Sequence, residues 1–331
     1  MTLPYLDGVL AQPDNLRRSA EAVRTALAGP VGAQAAAVAR WGSLVAFGMG
    51  ASAHAAAGFA AALRADGLPA TAVSAADLHD GVPHGLAAAF LGISQSGRSR
   101  ETVEALAAAP AARLALTNHP DGPLGAAADT VLALGCAEDT AVTTLSYTAT
   151  LQALGLLAER MSGQPRTDWR LLPDLATQVL RRDAEPLVVA LAGAACVDVV
   201  AAGTRLATAG AAALLLREAA HLPTASFTTR EYLHGPLETA GPGRSVVLFG
   251  AAREVPLALD LARYGADVVL VTDSDADVPA SGALLVVRLP RLGGLGGCVL
   301  DILPVQLAAH ALAQHAGRPI ELRHMPADTK L

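Results

Sequence analysis

The sequence predicts an α/β chain of two flavodoxin-like, three-layer αβα halves with parallel sheets, and three observations carry that reading. Short apolar runs such as Leu44-Val45-Ala46-Phe47 and Val269-Leu270-Val271 alternate with Ala/Leu-rich stretches of helical spacing, the pattern of parallel βαβ units in a doubly wound sheet. The strand ends recur: Gly48, Gly92 and Thr117-Asn118 of the first half match Gly203, Gly250 and Thr272-Asp273 of the second at separations of 155, 158 and 155 residues, the mark of an internal repeat. Between the apolar run Ala87 to Ile93 and the helical pattern Val103 to Ala109 lies a hydroxyl-rich loop, Ser94 to Thr102. Ligands of such sheets bind beyond the C-terminal strand ends, where Gly48, Ser94 and Thr117 all fall.

In chain order, residues 1–30 read as a leading helical segment, amphipathic over 13–28 with Asp14 or Asn15 as its cap. Residues 31–165 form the first half. The stretch 166–185, with Gln164-Pro165 before it and Pro173 inside it, reads as the connection. Residues 186–320 form the second half, and 321–331 a C-terminal tail.

Composition excludes several function classes. A net charge of −6 without a Lys/Arg cluster argues against a nucleic-acid partner, because phosphate backbones are bound through concentrated positive charge. Cys136, Cys196 and Cys298 are odd in number and widely spaced, so neither a disulfide framework nor a metal site is indicated, and a reduced cytoplasm is expected. No basic start leads into an apolar stretch and the longer apolar runs are interrupted, as by Asp198, so no export signal or membrane span is expected.

The loop Ser94-Gln95-Ser96-Gly97-Arg98-Ser99 is the strongest chemical signal. Free N–H groups of a first helical turn, the positive end of the helix dipole and several hydroxyls would converge there on one anion. The Gly-Lys-Ser/Thr ending of a mononucleotide cradle is absent. Ser96 or Ser99 as a plain helix cap is the bland alternative, stabilising by about 1 kcal/mol. The second half has Ala251-Ala252-Arg253 instead, so one anion loop per chain is expected.

Gly48-Met49-Gly50-Ala51-Ser52-Ala53 fits a dinucleotide turn, but Asp66, Asp77 and Asp80 are poorly placed for the acidic residue that would grip a ribose. No nucleotide cofactor is therefore expected. Glu218 follows three leucines and should be poorly solvated, which raises a carboxyl pKa toward the range of a general base. His234 stands before Gly235-Pro236, where a helix must stop, and histidine is a residue type able to act as acid or base. Taken singly, Glu218 pairing with Arg217 or Arg205, and His234 as a C-terminal cap, are the simpler explanations.

Together these segments resemble the sugar isomerase (SIS) domain family, in particular the isomerase half of glucosamine-6-phosphate synthase and related standalone proteins. The resemblance runs from Gln12-Pro13-x-x-Leu16 through both glycine turns, Ser94-Gln95-Ser96-Gly97-x-Ser99, Glu138 with Thr143-Thr144, Leu216-Arg217-Glu218 and His234-Gly235-Pro236 to Lys330. It implies a phosphosugar site made by Gly50, Ser52, Ser94, Gln95, Ser96, Ser99, Thr102 and Val142. It implies Glu218 as the base of an enediol step, His234 as the ring-opening acid/base, and Lys330 against the open-chain carbonyl. It also implies a homodimer whose site is completed by the neighbouring subunit.

Two lysines of the family pattern are replaced, by Leu145 and Leu215. No N-terminal cysteine nucleophile or glutaminase domain is read in the chain, so ammonia from glutamine is not expected. The implied activity is isomerisation or deamination of an amino- or keto-hexose 6-phosphate. The alternatives are a fructosamine-phosphate deglycase and a noncatalytic phosphosugar sensor.

Overall fold

The computed structural model describes residues 3–279, 282–324 and 326–331. Three helices lead: α1 (Tyr5–Leu10), α2 (Gln12–Ala28) and α3 (Pro30–Trp41). Neither Asp14 nor Asn15 caps α2. The chain passes from α1 to α2 through Ala11, already in helical conformation, and Pro13 occupies the first turn, where its missing N–H leaves no bond unmade. Asn15 is buried instead: its amide donates to the Leu145 carbonyl and its oxygen accepts from the Ala137 N–H.

The first sheet comprises β1 (Leu44–Gly48), β2 (Ala70–Ser74), β3 (Ala89–Ile93), β4 (Ala112–Thr117) and β5 (Thr130–Ala133), with α4 (Ala51–Ala65), α5 (Arg100–Ala108) and α6 (Pro123–Ala126) between strands. Then follow α7 (Leu145–Ser162), α8 (Leu172–Leu180) and α9 (Glu185–Leu191). The second sheet comprises β6 (Cys196–Ala201), β7 (Thr224–Thr228), β8 (Arg244–Phe249), β9 (Asp267–Thr272) and β10 (Leu284–Arg288). Its helices are α10 (Leu206–Ala219), α11 (Thr229–Tyr232), α12 (Glu254–Arg263) and α13 (Gly294–His315). The orders are β2-β1-β3-β4-β5 and β7-β6-β8-β9-β10, every pair parallel, so one topology is used twice.

Strand side chains alternate between two environments, as the pleat requires. Val246 and Leu248 pack outward under α12, whereas Val247 and Phe249 point inward. The inward faces of both sheets share one core with α2, α4, α7, α10 and α13, while Val45, Phe47 and Phe90 back onto α5 and α6. Central strands buried on both faces explain the unbroken apolar runs of the sequence. The 166–185 stretch, read as a connection, carries α8, whose Leu172, Ala176 and Val179 join the shared core. α13 is long and apolar enough to cross a bilayer, but most of it is buried inside the fold.

The repeat is present, with two of its three pairings displaced. Gly48 pairs with Ile93 and Ala201 with Phe249, so the counterpart of Gly203 is Gly50 rather than Gly48. The N–H groups of Ser94 and Gly250 bond to the carbonyls of Leu116 and Val271, so Gly250 answers to Ser94 rather than Gly92. Thr117 and Thr272 do correspond. The fold requires glycine where the chain leaves each first strand: Gly50 and Gly203 have φ of 54° and 61°, a region that other L-residues seldom enter.

Candidate functional site

The Ser94–Ser99 loop joins β3 to α5 and is shaped by Gly97, whose φ is 64°. Backbone bonds hold it on both sides: Gly97 N–H to the Ser94 carbonyl, Asn118 N–H to the Gln95 carbonyl, and Leu124 N–H to the Gly97 carbonyl. Ser96 Oγ accepts from the Arg98 N–H at 3.3 Å. Ser99 is the N-cap of α5, yet its side chain makes no capping bond, so its hydroxyl is available to the space in front of the helix. A Cβ at Gly97 would lie 2.9 Å from Thr117 Oγ1. Gly97→Ala is therefore expected to lower stability by about 1–2 kcal/mol through the left-handed backbone, as checked by urea melts.

The loop opens into a cavity of about 470 Å³, lined also by Gly50 and Ser52 at the start of α4, by Asp139, Thr140, Ala141, Thr143, Ser146 and Tyr147, by Leu214 and Glu218 of α10, and by Lys330 of the tail. Two helix N-termini, those of α4 and α5, thus meet at one space, where the positive ends of both dipoles and the free first-turn N–H groups of α5 favour an anion. Glu218 stands at the junction with a small recess formed by Leu214, Leu215, Ile302 and Gln306. Burial raises the pKa of its carboxyl above the ordinary carboxylate range, and the Arg217 guanidinium pulls it partly back. Arg205 is engaged elsewhere, with Asp273 at 2.9 Å and Asp301 at 2.8 Å.

Gly50, Ser52, Ser94, Gln95, Ser96, Ser99, Glu218 and Lys330 come together around this cavity. Val142 does not. Its side chain is in the core, while Ala141 and Thr143 line the cavity, because the chain bends at 141–142 and turns this side chain inward. Thr102 is likewise fully buried in α5 and does not line the space. His234 is exposed in the turn after α11, so one chain does not bring it to Glu218. Leu145 and Leu215 are buried apolar residues.

The tail crosses the loop. Ser99 and Lys330 form an antiparallel bridge, Leu331 N–H bonds to the Arg98 carbonyl, and Arg100 Nε donates to the Asp328 carbonyl at 2.8 Å. Lys330 Nζ lies 3.4 Å from Ser96 Oγ.

Sequence reasoning passed over Asp139. Its carboxylate accepts from the N–H groups of Thr140, Thr144 and Ser146 and from the hydroxyls of Thr144 and Ser146, fixing the start of α7 at the cavity wall. An acid followed by Thr and Ser just ahead of a helix was the available signal; the neighbouring Glu138, which the sequence offered instead, is exposed.

In the second half the equivalent space is occupied by the chain itself. The buried Glu254 accepts from Thr229 Oγ1, and a Cβ at Gly250 would lie 2.3 Å from Glu254 Oε2. Arg205, two residues after Gly203 as Ser52 is two after Gly50, is held by Asp273 and Asp301.

Residues 37–160 match the family model described as the SIS domain. The first half of the chain thus matches as a SIS domain. Its sequence is 27% identical over 226 residues to glutamine–fructose-6-phosphate aminotransferase (isomerizing) from Aeropyrum pernix, a match covering 61% of this chain and 36% of that protein. The chain spans 36–41% of the length of the curated relatives it matches. Likeness of fold to solved structures extends through both halves. The C-terminal domain of glucosamine-fructose-6-phosphate aminotransferase from Francisella tularensis superposes with a TM-score of 0.82 at 17% identity, covering 96% of this chain and 98% of that one. Glucosamine-6-phosphate deaminase from Thermotoga maritima superposes with a TM-score of 0.77 at 18% identity, covering 97% and 98%.

Proposed function

We propose that this SIS protein is a phosphosugar aldose–ketose isomerase or deaminase acting on an amino- or keto-hexose 6-phosphate through an enediol or enediolamine. One observation carries the reading: a poorly solvated carboxylate, Glu218, faces the same cavity as the hydroxyl loop Ser94–Ser99. The phosphate docks on Ser52, Ser94, Ser96 and Ser99 with Gln95, against the N-termini of α4 and α5. That contact fixes one end of an open-chain sugar and leaves C1 and C2 within the cavity. Glu218 removes the proton next to the carbonyl and returns it to the adjacent carbon. Its burial suits the task, since a base works best with a pKa brought toward the working pH and with water kept from the site. The names of the relatives, an isomerising aminotransferase and an amino-sugar phosphate deaminase, support the same chemistry. His234, exposed on each chain, is assigned to ring opening in the cavity of a second copy, which makes the working unit a homodimer.

The test is proton NMR in D₂O over a panel of hexose and hexosamine 6-phosphates, watching for deuterium at C1 or C2. Exchange on one member is the expected result and names the substrate class. Phosphosugar binding without exchange on any member would overturn the catalytic reading and leave a sensor.

A further inference from the structure

We propose that Lys330 is the counter-ion of the substrate phosphate rather than a partner of the sugar carbonyl, an inference that rests on the phosphate docking proposed above. The charges around the cavity lead to it. Glu101, Asp139 and Glu218 line the space, and Lys330 is the one basic residue among the described residues that does. The two arginines of the loop segment are turned to the tail, Arg98 to the Leu331 carbonyl and Arg100 to the Asp328 carbonyl, and neither lines the cavity. A sugar phosphate carries about −1.5 to −2 charges near neutrality. Neutral hydroxyls and two helix termini, each equivalent to roughly half a positive charge, leave part of that charge unbalanced.

Lys330 supplies the difference from where it stands. Its ammonium is 3.4 Å from Ser96 Oγ, within the set of hydroxyls that would hold the anion. Its backbone is fixed there by the bridge to Ser99 and by the Leu331–Arg98 bond that follows. The tail and the phosphate therefore hold one another: the anion draws the ammonium onto the loop, and the closed tail sets the ammonium over the anion.

The measurement is calorimetric titration of inorganic phosphate into the full chain, its Ser96→Ala, Lys330→Gln and Lys330→Arg variants, followed by steady-state kinetics on the sugar phosphate found by exchange. Wild type is expected to bind one phosphate per chain, and Ser96→Ala to bind it more weakly. Lys330→Gln should weaken binding about tenfold or more, the scale of a lost charge-assisted hydrogen bond, with Lys330→Arg recovering most of it. The kinetic loss in Lys330→Gln should fall on KM more than on kcat. Ser96-dependent phosphate binding that is equally tight in Lys330→Gln would overturn the counter-ion role while leaving the docking loop intact. So would collapse of kcat together with borohydride trapping of the sugar on Lys330. Phosphate binding indifferent to Ser96 would instead remove the docking loop itself, and the counter-ion with it.

Discussion

Glu218→Gln is expected to slow deuterium exchange into the substrate by roughly 10³-fold, the middle of the range for a positioned general base, while phosphate binding stays near the wild-type value. The amide keeps the shape and polarity of the side chain in its half-buried place on α10 and removes its capacity to take a proton. Equal loss of exchange and of phosphate affinity would instead mean that the variant disturbs the whole cavity. The pH profile gives an independent check. The working form is the carboxylate, so activity falls as pH drops through the Glu218 pKa, and burial places that limb above the ordinary carboxylate range. Arg217 is exposed and holds the pKa down. Arg217→Met should accordingly move the acid limb to higher pH, by an amount that shrinks as salt screens the wild-type interaction.

The parts of this molecule that were legible in the sequence are those fixed by short-range rules. Strands buried on both faces must be unbroken apolar runs, so Leu44-Val45-Ala46-Phe47 and its repeats announced parallel sheets. The hydroxyl loop was legible because strand, hydroxyls and helix start are contiguous, and the structure sets Ser94, Gln95, Ser96 and Ser99 on one cavity. Other errors came from information that lies outside the segment. Whether Ala141 or Val142 faces the cavity depends on how residues 139–146 are pinned by Asp139, a carboxylate bonded to groups up to seven positions ahead. The cap assigned to Asp14 or Asn15 failed because α1 runs almost directly into α2, and Asn15 serves a contact with Leu145 that is 130 residues away. The glycine pairing slipped by two positions because glycine was read at the strand end, whereas the backbone demands it where the helix begins.

The largest stability effect is expected at the other end of the molecule, in the filled cradle of the second half. Arg205→Met should cost about 3–5 kcal/mol at pH 8, because it leaves Asp301, almost fully buried on α13, and Asp273 without their shared counter-ion. Burial already pushes the Asp301 carboxyl up to about 6 against the pull of Arg205, and removing the guanidinium raises it further. A folded-state pKa above the unfolded value of about 3.9 contributes stability at low pH that is lost as pH rises through the folded pKa. Wild type completes that loss around pH 6, and the variant completes it at higher pH. The deficit between the two should therefore be smallest near and below pH 6 and widen toward pH 8, as read by urea melts across that range. Adding Asp301→Asn to Arg205→Met should abolish the widening, since the titrating group is gone. A deficit under about 1 kcal/mol, or one that does not change with pH, would mean that the three charges are solvated well enough to be independent.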